Sequence, residues 1–208
     1  MKKNFIFDVD GTLLNTESMY MKSLQVTLEA HDIHKTYAEV YSIFGLPSLD
    51  ALEFFGIVDA QKMQKEWQSH YHDFWNEVDL FAGIETILDH LHNQPDVQLG
   101  IVTSNTKQEF EDHLDQFNIE KYFNSFTFAG ETAQMKPFPD PILRAMELLN
   151  AIPDESIYIG DSVHDMYAAH AAGLDFGLAA WGIQDVNKFN DDQEYTFKKP
   201  SDILHLLK

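Results

Sequence analysis

The chain has 208 residues, 44% hydrophobic and 13% aromatic, which suits one buried core with a small accessory domain and excludes a disordered chain. Fourteen Lys and Arg stand against 34 Asp and Glu, and the net charge of −20 repels nucleic acid and anionic membrane surfaces. Without cysteine there are no disulfides or thiolate metal sites, and with the single arginine Arg144 there is no basic patch to read bases.

The opening MKKNFIFDVDG meets aspartates after too few apolar residues for a signal-peptide core, and no later stretch reaches the length of a membrane span. A cytoplasmic location is the expectation. Short apolar segments predict strands buried on both faces at Phe5 to Val9, Leu99 to Thr103, Phe126 to Ala129 and Ile157 to Gly160, with a fifth, interrupted by Gly177, at Phe176 to Ala180. Between them run helical stripes. Ile84, Ile87, Leu88 and Leu91 form one; Phe110, Leu114 and Phe117 form another, behind a capping box at Thr106 to Glu109. Ile142, Met146 and Leu149 follow Pro139 and Pro141, and an alanine-rich helix from His164 to Ala172 stops at Gly173. Strand alternating with helix predicts a Rossmann-like α/β core with a parallel sheet.

One spacing breaks the rhythm. The first strand ends near Val9 and the next begins near Leu99, far more than a crossover needs. The interval carries helical stripes at Tyr20, Leu24 and Leu28 and at Met63, Trp67, Tyr71 and Phe74, read as core packing. The expected organisation is an α/β core of residues 1–14 and 81–208, with a helical cap of residues 15–80 inserted after the first strand. The acidic stretch Asp185 to Glu194 reads as a solvated loop.

Four features carry chemistry. In FIFDVDGTLL, Asp8 and Asp10 close an apolar strand, and carboxylates so close repel one another unless a cation joins them. Oxygen ligands on a tight turn suit Mg²⁺. A calcium loop counted from Asp8 fails, because Leu13 stands where its glycine belongs and Met19 where its bidentate glutamate belongs. In GDSVHD, Asp161 ends another strand, with Ser162 placed to cap the next helix and Asp165 to assist it. Thr103, Ser104 and Asn105 end a third strand, and Lys136 precedes PFPD in an otherwise acidic chain, where it can pair with phosphate as a point charge.

The ordered set DVDGT, IVTSN, KPFPD and GDSVHD resembles the haloacid dehalogenase (HAD) superfamily, specifically its phosphatases with an α-helical cap after the first motif. Length, the segment FGLPSLDAL and KPFPDP further resemble its phosphoglycolate phosphatase-like members. The resemblance implies Asp8 as nucleophile and Asp10 as acid and base. It implies Mg²⁺ held by Asp8, the Asp10 carbonyl and Asp161, with Asp165 beside it, and phosphate bound by Thr12, Thr103, Ser104, Asn105 and Lys136. The implied partner is a small phosphorylated metabolite, with no nucleic acid or membrane, for a monomer or weak homodimer. Asp10 argues against dehalogenation, since the dehalogenating relatives lack the second aspartate. One rival is a phosphomutase similar to β-phosphoglucomutase, whose cap-helix histidine is replaced here by Tyr20. The other is a non-catalytic protein that binds phosphorylated ligands.

Overall fold

The computed structural model describes residues 1–44, 46, 48–114, 116–183 and 186–207, and their side chains except at 112–114. The chain divides into two compact units, Met1–Leu14 with Leu80–Lys208, and Asn15–Asp79. Gly45 and Pro47 of FGLPSLDAL, the Leu114 side chain and Asp185 lie outside the described residues.

The strands in chain order are β1 (Asn4–Phe7), β2 (Leu14–Asn15), β3 (Asp79–Leu80), β4 (Gln98–Val102), β5 (Ser125–Thr127), β6 (Ser156–Gly160), β7 (Asp175–Ala179) and β8 (Tyr195–Phe197). Six of them form one parallel sheet in the order β5-β4-β1-β6-β7-β8, while β2 and β3 pair separately. In register, Phe7 of β1 stands between Ile101 of β4 and Ile159 of β6. From β1 the chain first builds outward through β4 and β5, then returns to lay β6, β7 and β8 on the other side. The direction of building therefore reverses between β1 and β6. In such sheets ligands bind beyond the strands' carboxyl ends at that reversal.

The strands form because both faces are covered. Ile6, Val102, Tyr158, Phe176 and Leu178 pack with Ile142, Met146 and Leu149 of α7 (Asp140–Leu149) and with Met166, Ala168 and Ala169 of α8 (Val163–Ala171). The alanines let α8 lie close to the sheet. Helix α5 (Ile84–His92) buries Ile84, Ile87, Leu88 and Leu91. The expected capping box leads α6 (Lys107–Leu114), where the Thr106 and Glu109 side chains each accept from the other's backbone N–H. Phe117 falls beyond that helix and so is not part of its stripe. β8 is an edge strand that the periodicity misses, being three residues long. Its Phe197 ring occupies the space a side chain at Gly177 would need, which explains the glycine inside β7.

The second unit is helical: α1 (Glu17–Glu29), α2 (Tyr37–Tyr41), α3 (Ser48–Phe54) and α4 (Ala60–Ser69). Its own core joins Met21, Leu24, Leu28, Val40, Ile43, Leu52, Met63 and Trp67, and the Tyr20 ring meets Tyr71 edge-on at 4.9 Å. Among the described residues, no helix is long and apolar enough to cross a membrane.

Candidate active site

Asp8 extends β1 by one residue, its N–H donating to the Ile159 carbonyl of β6 at 2.9 Å. The chain then turns back on itself, the Val9 carbonyl accepting from the N–H groups of Thr12, Leu13 and Leu14. Gly11 sits at φ +76°, and a Cβ there would collide with the Asp161 carboxylate. Only glycine lets the two acidic segments close to this spacing. Thr12, fully buried, donates its hydroxyl to Asp161 Oδ1 at 3.4 Å. This residue, which the resemblance implies binds phosphate, thus lies against a carboxylate of the cluster. From the loop after β7, the Trp181 indole N–H donates to the Thr12 carbonyl at 2.9 Å.

On the other flank, buried Thr103 continues β4, and its hydroxyl accepts from the Asn105 N–H at 3.1 Å. The Asn105 side-chain amide donates to Asp10 Oδ2 at 2.8 Å, so this residue orients the second aspartate. Ser104 is exposed at the same edge.

Lys136 lies at the centre, its side chain only 6% exposed. Its ammonium donates to Asp8 Oδ1 at 2.6 Å and to Asp165 Oδ1 at 2.7 Å. Asp165 is committed on both oxygens, because Oδ2 accepts from the Ser162 N–H at 3.0 Å and the Ser162 hydroxyl at 2.6 Å, completing a capping box at the start of α8. Tyr158 joins the group unannounced by the sequence, where it reads as one more apolar strand residue. Its hydroxyl accepts from Lys136 at 3.2 Å.

Oxygens of Asp8, Asp161 and Asp165 lie within 4.8 Å of one another. Burial pushes the Asp8 carboxyl up to about 7, over the lowering pull of Lys136 and with help from Asp165 and Asp10. Burial, with Asp165 and Asp8, drives Asp161 well above the usual carboxylate range. Burial works to lower Lys136, but Asp165 and Asp8 outweigh it and keep the ammonium charged. One lysine thus faces an excess of acid, and the raised carboxyls mark a site short of positive charge. Hard oxygen donors without nitrogen or sulfur fit a divalent cation of the magnesium kind.

The all-parallel sheet gathers carboxylates and one buried lysine at its topological reversal, where α/β proteins of this class hold their ligands. The chain belongs to the haloacid dehalogenase-like hydrolase family, whose family model matches residues 5–179. A crystal structure from Lactobacillus plantarum, provisionally named a phosphoglycolate phosphatase, is similar with a TM-score of 0.89 at 30% identity, covering 99% of this chain and 100% of that one. The pyrophosphatase PpaX of Oceanobacillus iheyensis is 25% identical over 99% of this chain and 96% of its own length. PpaX of Bacillus mycoides is 28% identical over 100% and 98%.

Proposed function

We propose that the protein is a magnesium-dependent phosphatase of small phosphorylated metabolites, working through an aspartyl-phosphate on Asp8. The observation that carries this reading is the 2.6 Å contact between Lys136 and Asp8 inside the carboxylate cluster. A carboxylate oxygen of Asp8 attacks phosphorus, and the ester P–O bond breaks while Asp10 gives its proton to the leaving oxygen. Water then attacks the phosphorus of the aspartyl-phosphate and yields a proton to Asp10. The bond to Asp8 breaks and inorganic phosphate departs. Lys136 and the Thr103 hydroxyl contact the transferring phosphoryl oxygens, and Asn105 keeps Asp10 aimed. Mg²⁺ bound by Asp8, the Asp10 carbonyl and Asp161 would neutralise charge on the phosphoryl group. Asp165, with both oxygens engaged by protein groups, holds Lys136 in place.

The substrate class proposed is that of phosphoglycolate, a phosphate ester of a small organic acid. The names of the PpaX relatives favour a second reading, in which the leaving group is itself phosphate. The test is phosphate release from p-nitrophenyl phosphate, phosphoglycolate and pyrophosphate, with and without Mg²⁺, by the wild type and Asp8→Asn. Activity that needs Mg²⁺ and vanishes in a folded Asp8→Asn variant is the expected result, and the relative rates choose between the substrates. A folded wild type inactive on all three would refute the phosphatase reading.

A further inference from the structure

Tyr158 sits in mid-strand on β6 and is fully buried among apolar neighbours. A phenylalanine would fill that space equally well, and burying a hydroxyl is costly unless it is bonded. The hydroxyl is bonded, and among the described residues its partners all belong to the proposed catalytic edge. It lies 3.2 Å from Lys136 Nζ, 3.2 Å from the Val102 carbonyl and 3.3 Å from Asp165 Oδ1. It can give its proton to the carbonyl or the carboxylate, which leaves a lone pair facing the ammonium.

An ammonium has three N–H donors. Those of Lys136 meet three acceptors: Asp8 Oδ1 at 2.6 Å, Asp165 Oδ1 at 2.7 Å and the Tyr158 oxygen at 3.2 Å. Two acceptors alone would leave the group free to turn about the line joining them. A third direction removes that freedom. We propose that Tyr158 is a positioning residue for phosphoryl transfer, setting through its hydroxyl the side from which Lys136 presents its charge to Asp8. The proposal rests on the reading of Asp8 as nucleophile. Its physical basis is that displacing a catalytic group by about 1 Å costs rate on the order of a hundredfold.

The experiment compares Tyr158→Phe with the wild type on p-nitrophenyl phosphate at saturating Mg²⁺. Expected is a fall in kcat of roughly tenfold or more with KM nearly unchanged, the size that follows when a hydrogen bond to a charged group is lost from the transition state. The melting temperature should move by no more than a few degrees. An unchanged kcat, or a loss carried by KM, overturns the positioning role. Asp8→Asn run alongside separates the two claims: an inactive Asp8→Asn beside a fully active Tyr158→Phe removes the positioning role alone, whereas an active Asp8→Asn removes both. If Tyr158→Phe does not fold, nitrogen-15 lysine spectra of the wild type decide. A Lys136 ammonium shielded from solvent exchange supports the three-acceptor arrangement, and one exchanging as fast as the surface lysines overturns it.

Discussion

Lys136 Nζ lies 2.7 Å from Asp165 Oδ1, while the other oxygen of Asp165 caps α8 through Ser162. The charge that faces Asp8 is therefore tied to the start of a core helix. Asp165→Ala removes a helix cap, worth about 1 kcal/mol, and one of two carboxylate partners of a buried ammonium, worth up to about 3–5 kcal/mol when no partner remains. With Asp8 still present, a loss near 3 kcal/mol in urea unfolding is expected. Asp165→Asn, which keeps the shape and a capping oxygen, should lose less stability yet still lose activity. Equal destabilisation by the two variants would mean that the cap contributes little.

Asn105 offers a test of the acid role given to Asp10, to which it donates at 2.8 Å. Removing the amide in Asn105→Ala leaves Asp10 ionisable but less well aimed. Protonation of the leaving oxygen matters most when that oxygen is strongly basic. Asn105→Ala should therefore slow an alkyl phosphate by roughly tenfold or more, and p-nitrophenyl phosphate by much less. Equal slowing of both substrates would remove Asp10 from the proton transfer.

The contrast between Asp8 and Tyr158 marks what the sequence makes legible. Asp8, Asp161 and Thr103 stand out because each closes an apolar segment, where a polar residue has no local reason to be. Five of the sheet's six strands, the helices between them and the acidic cluster follow from that punctuation, while the short edge strand β8 does not. Tyr158 sits inside an apolar segment, and its hydroxyl acquires meaning only when β6 is set beside β1 and Lys136 arrives from a distant loop. Trp181 is hidden for the same reason, since its partner is a main-chain carbonyl that has no sequence signature. Thr12 and Asn105 read by resemblance as phosphate-binding residues, and their bonds to Asp161 and Asp10 emerge only from the fold.

The raised carboxyls predict how protons and Mg²⁺ compete. Asp8 has an ordinary value of 3.8 and a folded value of about 7, raised chiefly by burial. Between those values the folded chain binds more protons than the unfolded one, so this group's contribution without divalent cation is greatest below its ordinary value and is lost as pH rises toward the folded one. Asp161 is shifted in the same direction. A cation bound at Asp8 and Asp161 would require them ionised, so Mg²⁺ binding there should release protons and strengthen as pH rises. The rise in melting temperature on adding Mg²⁺ should accordingly be larger near pH 8 than near pH 5. Calorimetric melts at both pH values, with and without Mg²⁺, check this. A shift independent of pH would place the cation away from Asp8 and Asp161.

The loop after β7 holds the turn that follows Asp8 by two contacts, and they should fail differently. Trp181 donates its indole N–H to the Thr12 carbonyl, so Trp181→Phe loses one hydrogen bond, about 1 kcal/mol, and keeps most of the packing. Gly182 lies so near the Gly11 carbonyl oxygen that any Cβ there would collide with it. The obstacle is backbone, which cannot rotate aside as a flexible side chain does. Gly182→Ala must therefore push the loop away or displace Gly11, and Gly11 is itself pressed against Asp161. Overpacking of this kind costs about 1–3 kcal/mol, and here the strain passes straight into the segment bearing Asp8 and Asp10. Gly182→Ala should lose far more kcat than Trp181→Phe, even after both are compared at equal fractions folded by circular dichroism. Similar activity in the two variants would mean that the loop yields instead of the turn, and that β1 and its pairing with β6 suffice to hold Asp8.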